Sequence, residues 1–266
     1  MGYGYLVPLW SFLHRFIAHE IRYTMNAINI PRLKLKRAEE HLQELEAALT
    51  SFDKLNPCML IKDVYPNDRR QLFRARFAIE PPPILGIIAG DAVHNMRSAL
   101  DWLVCQLSLL NGANTLQGVE FPIFEDIPSG RLKQSFEYKI RFLPDEAKQA
   151  AEVLQPYHTG HRAELQRLWI LQQLDITDKH RGLIVKGMIM FIGLPNIPGL
   201  IKNMLNDGTI EVIIPIKDYE FNPKPIAEVA FRAEKLIEPV TPPMLWKIYN
   251  LIANGIFPMF TRYFPQ

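Results

Sequence analysis

"LIVKGMIMFIGLPNIPGLI" (residues 183–201) is the most apolar run of the chain, and its reading decides between two kinds of fold. A membrane span needs roughly 20 mostly apolar residues without interruption. Lys186, Gly187, Gly193, Pro195 and Pro198 break this run. Its first ten residues are rich in Ile and Val and stop at turn residues, the signature of a strand. "TIEVIIPI" (209–216) and "IAEVAFRAEKL" (226–236) share that texture, and Asn206-Asp207-Gly208 marks a turn before the first of them. The segment after Gly182 is therefore strand-rich rather than membrane-embedded.

The texture upstream is different. In "LKLKRAEEHLQELEAALTSF" (33–52), Leu35, Ala38, Leu42, Leu45, Leu49 and Phe52 step by three and four among Lys, Arg, Glu and Gln. That is a helix with one buried stripe and one solvated face. Pro31 opens it and Asn56-Pro57 closes it. "RQLFRARFAIE" (70–80) has strand composition, with Phe73 and Phe77 interleaved by Arg74 and Arg76. Helices are predicted at 85–111, ending at Asn111-Gly112, at 131–140, at 144–154 and at 162–181. "PYHTGH" (156–161) reads as a connector. A last element over 242–264 is helical in spacing, with Gly255 and Pro258 set to kink it.

A run of helices followed by a run of strands predicts an α+β fold. About five helices would pack with a small antiparallel sheet of three or four strands and a C-terminal helix. Residues 32–266 read as one domain: a helical part (32–182), a strand-rich part (183–240) and the C-terminal helix (241–264). Residues 1–31 read as an extension. Leu9, Phe12, Leu13, Phe16 and Ile17 follow helical spacing there, which suits an amphipathic helix; the other reading is a non-native stretch, with Met25 as the true start.

Composition sets the bounds. With 266 residues, 48% hydrophobic and 22% charged, the chain can bury a core without staples. A net charge of +2 neither demands nor excludes nucleic acid. Two cysteines, Cys58 and Cys105, are too few for a disulfide framework and point to a reducing cytoplasm.

The candidate site lies in "GDAVHNMRSALDWLV" (90–104). On a helical wheel, Ala92, Val93, Met96, Ala99, Leu100, Leu103, Val104, Leu107 and Leu110 share one arc. Asp91, His94, Asn95, Arg97, Ser98, Asp101 and Cys105 fill the other, together with Trp102. A solvated face is normally built from Lys and Glu, and this one contains neither. The arc is therefore expected to be mostly covered, with its charges paired. "LDITDKHRG" (174–182) supplies partners. Lys179, His180 and Arg181 suit a helix C-terminus, but Asp175 and Asp178 oppose its dipole and call for an offsetting cation. One of these two carboxylates is expected to pair with Arg97 or His94. A metal is not expected, because His94 and Asp101 stand two turns apart, about 10.5 Å of rise. Ser98 lies one turn from His94, but no GxSxG elbow is present, so nucleophilic catalysis is not expected from the sequence; no P-loop or GxGxxG is present, and no cofactor is expected.

At these residues the chain resembles a widespread set of bacterial proteins without an assigned activity. The matching text is Lys34 to His41, Gly90 to Leu103, Phe121 to Asp126 ("FPIFED"), Leu154 to Tyr157 ("LQPY") and Leu168 to Arg181. The resemblance implies that His94, Asn95, Arg97, Asp101, Asp175, Asp178, His180 and Arg181 belong together. A second, looser likeness is to HEPN-type helical domains, many of them RNases with four to six residues between an Arg and a His. Here Trp102 stands where that His would be.

Two functions follow as expectations. The first is a non-catalytic protein that binds a protein partner or itself, its two polar motifs forming a buried ion-pair network. The second is a nucleotide- or RNA-binding, or phosphodiester-cleaving, protein. In it Arg97 and Arg181 hold phosphate, His94 or His180 acts as acid or base, and Asp101 or Asp175 orients the ring.

Overall fold

The structure is a computed structural model; it describes residues 27–64, 70–194, 196, 198–205, 208–215 and 222–265, with the backbone alone at 64 and 161–165. The expected N-terminal helix and the Asn206-Asp207 turn lie outside the described residues. The fold is α+β: α1 (Asn29–Asp53), β1 (Cys58–Val64), β2 (Gln71–Phe77), α2 (Ile84–Leu110), α3 (Gly130–Lys139), α4 (Asp145–Val153), a 3-10 segment (Pro156–Leu165), α5 (Arg167–Arg181), β3 (Ile184–Ile192), β4 (Ile201–Met204), β5 (Ile210–Ile214), β6 (Lys224–Arg232), α6 (Pro242–Asn250), a π-helical turn (Leu251–Ile256) and α7 (Phe257–Thr261). Among the described residues no helix is long and apolar enough to cross a membrane.

The chain divides into two compact units, and the division falls inside α1, α2, α5 and α6. Among the described residues the first unit takes 27–39, 92–175 and 247–265; the second takes 40–91 and 176–246.

In the second unit the strands form two antiparallel sheets, where the sequence suggested one. The larger runs β1-β2-β5-β4; the smaller pairs β3 with β6. β2 and β5 are central, and consecutive residues, which point to opposite faces, are buried in both: Leu72, Phe73 and Ala75, and Val212, Ile213 and Ile214. Arg74 lies directly opposite Glu211 across the β2–β5 pair, and its Nε donates to that carboxylate at 3.0 Å. The sheets touch through β1 with β6 and β2 with β3. Gly187 of β3 makes room there for the Phe77 ring, 2.5 Å from where a Cβ would stand. Gly86 of α2 likewise lies under the Leu183 carbonyl, 2.6 Å from its would-be Cβ.

In the first unit the core gathers the apolar arc of α2. Ala92, Val93, Met96, Ala99, Leu100, Leu103, Val104 and Leu107 are all essentially unexposed. Gly112 ends α2 at φ 84°, with the Ala113 N–H reaching back to the Ser108 carbonyl at 2.9 Å. The break expected near Gly255 and Pro258 takes the form of the π-helical turn. Pro258, which has no N–H, then stands in the first turn of α7. α7 packs on α4, and its Phe260 ring meets Phe121 edge-on at 6.1 Å. "PYHTGH", read as a connector, is the start of the 3-10 segment.

Candidate functional site

The polar arc of α2 splits into two parts with different surroundings. Arg97 is the buried half, at 4% exposure. Its Nη2 donates to Asp101 Oδ1 at 3.0 Å, one turn along the helix, and to the Phe121 carbonyl at 2.8 Å. Asp101 in turn accepts the Phe121 N–H at 2.9 Å. One residue's two backbone groups are thus held by an ion pair from a single helix. Burial pushes the Asp101 carboxyl above the usual range, and Glu120 and Asp175 act the same way. The Arg97 guanidinium and the Phe121 N–H pull it down without reversing the shift.

A second clamp continues the first. Gln155 is fully buried. Its Oε1 accepts the Phe124 N–H at 3.0 Å, while its Nε2 donates to the carbonyls of Pro122 (2.9 Å) and Ala151 (2.8 Å). The stretch 121–124 carries no regular ladder, and side chains meet its hydrogen bonds instead. Gln155, which lies in "LQPY", is not among the residues that the sequence singles out. The signal was a polar residue between Leu154 and Pro156, where a chain turn would ordinarily be solvated.

His94 is the exposed half. Its side chain is 46% exposed, and its Nδ1 lies 3.3 Å from Oδ1 of Asp175, which is almost fully buried. The side chain of α2 that meets the Asp175 carboxylate is therefore His94; Arg97 turns to Asp101. A carboxylate only accepts, so Nδ1 carries the proton and Nε2 is left as an acceptor. Ser98 Oγ lies 3.4 Å from that Nε2.

Asp91 is exposed, and Asn95 and Trp102 are half-buried. Asp178, Lys179, His180 and Arg181 belong to the second unit. There the Asp178 carboxylate sits against the Cα of Gly90, in the space a Cβ would take. Lys179, His180 and Arg181 are exposed, and Arg181 pairs with Glu234 at 2.9 Å, both side chains largely in water. The expectation of a mostly covered arc is corrected: Arg97 is buried and Asp101 partly so, whereas Asp91 and His94 reach solvent. Arg97 and Asp101 lie against the Phe121 loop, whose backbone carbonyl and N–H pair with them.

Cys105 Sγ donates to the Val119 carbonyl at 3.4 Å, and burial, helped by Asp101 and Glu120, pushes its thiol up to about 11. That removes it as a thiolate nucleophile at neutral pH. Among the described residues no group of three or more His, Cys, Asp or Glu could hold a metal ion. Comparison with known proteins matches no family model, no curated protein and no solved structure.

Proposed function

We propose that the chain works by self-association through a groove between α3 and α4, and that the buried part of the polar motif builds that surface. The observation that carries the reading is the groove itself, about 690 Å³, with Phe136, Ile140 and Val153 as its apolar lining and Glu137, Arg141, Lys148 and Glu152 around them. The two clamps lead to it: they hold 121–124, and the Phe124 ring meets Phe136 at 5.6 Å. Leu132, Tyr138 and Val153 are about half exposed on the same pair of helices. Clustered apolar exposure of this kind marks a contact surface. Two acids and two bases around one groove suit a second copy turned by a two-fold axis, which brings unlike charges together. The reading extends to a reducing, cytoplasmic compartment, on the ground that Cys58 and Cys105 are both free thiols.

Sedimentation at micromolar concentration tests it. A dimer is expected, and Val153→Lys should weaken it by about 30-fold, near 2 kcal/mol, by placing a charge in the contact. A wild-type chain that sediments as a monomer overturns the proposal.

A second reading, HEPN-like binding or cleavage of a phosphodiester, is favoured by His94. A half-exposed imidazole held by a buried carboxylate is oriented for proton transfer. Arg97 supports it poorly as a phosphate grip, being buried and committed to Asp101 and Phe121; Arg181 and His180 are exposed. Incubation with mixed RNA should give cleavage that falls at least 100-fold in a His94→Ala, His180→Ala variant. Equal cleavage by both proteins removes these histidines as catalysts.

A further inference from the structure

We propose that Ser98 is a nucleophile, activated by His94 and Asp175, and that the site takes small carboxylic esters with an aromatic or apolar group. The proposal rests on the second reading only in needing His94 as a base; it replaces phosphate with an acyl group as the substrate chemistry.

Three observations carry it. The first is connectivity. Asp175 Oδ1, His94 Nδ1, His94 Nε2 and Ser98 Oγ form one string, with separations of 3.3 and 3.4 Å across its two polar contacts. Each ring nitrogen faces a different partner, and the order is carboxylate, imidazole, hydroxyl, the arrangement that raises the nucleophilicity of a serine. Both separations are long, as such contacts are before a substrate tightens them. The second is the gradient of burial. Asp175 is almost fully buried, while His94 and Ser98 are reachable from solvent. The carboxylate is thereby fixed, and the reacting end stays open. The third is spacing. His94, Ser98 and Trp102 recur every four residues along α2 and so share one stripe. Trp102, half-buried, stands one turn along from Ser98 on that stripe, an apolar neighbour suited to an apolar or aromatic group. Phosphate finds no comparable partner here, since the nearest cation in sequence, Arg97, is buried and paired.

The step balances without a cofactor. Ser98 Oγ adds to the ester carbonyl carbon as its proton passes to His94 Nε2. The Asp175 carboxylate holds Nδ1–H and offsets the imidazolium charge. The carbonyl electron pair returns, the C–O bond to the alcohol breaks, and the departing alkoxide takes the proton from Nε2. Water repeats the sequence on the acyl-serine, releasing the carboxylic acid and restoring Ser98.

The test uses the full chain with two probes, a fluorophosphonate read by intact mass and peptide mapping, and p-nitrophenyl acetate hydrolysis. One adduct per chain is expected, on Ser98, and none in Ser98→Ala. Hydrolysis should fall at least 100-fold in both Ser98→Ala and His94→Gln. Melting temperatures near that of the wild type show that each variant is folded, and the adduct mapped on the unaltered chain needs no variant at all. An adduct on another residue, or no adduct, overturns the nucleophile. Hydrolysis that survives Ser98→Ala but still requires His94 also overturns it, while leaving His94 as a base acting on water. Hydrolysis indifferent to His94→Gln overturns both.

Discussion

Replacing Arg97 with Met is expected to lower the unfolding free energy by about 3–5 kcal/mol, the effect of breaking a buried ion pair from one side. Methionine fills the volume of the aliphatic stem, so the loss comes from the polar end. Asp101 loses its cation, and the Phe121 carbonyl loses its donor. The effect should depend on pH, and its sign follows from Asp101. That carboxyl already sits above its usual range because burial outweighs Arg97. Without Arg97 it rises further, so the folded state holds its proton at pH values where the unfolded chain, near 3.9, has released it. A group raised in this way contributes stability that is complete below the unfolded value and is lost as pH rises through the folded one. The difference between variant and wild type should therefore be smallest below about pH 4 and grow upward from there. Adding Asp101→Asn, which keeps an acceptor for the Phe121 N–H without a charge, should recover about half of the loss. Urea titrations at pH 3.5 and pH 7 measure all of this. A Met variant within about 1 kcal/mol of wild type at pH 7 would mean that the ion pair does not hold the loop.

Gly86→Ala should destabilise the chain by about 1–3 kcal/mol, although alanine in a helix interior ordinarily gains about 1 kcal/mol over glycine. The new methyl would stand 2.6 Å from the Leu183 carbonyl oxygen and 2.9 Å from Val185 Cγ2. Both belong to the chain entering β3, and a backbone carbonyl there cannot swing aside like the end of a long side chain. Gly255→Ala is the contrast: its nearest neighbour is Leu251 Cδ1 at 3.4 Å, an ordinary contact. Thermal melts of the two variants should move in opposite directions. A Gly86→Ala protein as stable as wild type would show that α2 and the start of β3 can separate at no measurable penalty.

Periodicity made much of the fold legible. The α1 stripe and the apolar arc of α2 are buried as read, apart from Leu49 and Leu110, which are only partly covered. The strands at 184–192, 210–214 and 224–232 fall within or beside the segments chosen for their Ile and Val content, and that at 71–77 within the segment chosen for Phe interleaved with Arg. β1 and β4 escaped because they are edge strands. β4 is exposed along its whole length, and Met59, Leu60 and Ile61 in β1 are all partly exposed. With no face consistently covered, no period-two pattern is written into them. Periodicity also cannot say which strands pair, so the split into two sheets was not legible.

The candidate site divides along the same line. That α2 carries one coherent polar arc, and that Asp175 needs a cation, follows from helix geometry and the helix dipole, which depend on local order alone. Which side chain it meets is a matter of tertiary structure. Arg97 could have reached across to a carboxylate of α5, but the Phe121 loop offers it a carbonyl, and Asp101 lies one turn along its own helix; that pairing leaves His94 to Asp175. The sequence by itself determined the elements, the polar stripe and the unbalanced acids. Only the tertiary structure decided that Arg97 and Asp101 bind a loop while His94 and Ser98 face water, because burial is a property of what covers a helix, and no local pattern specifies the cover.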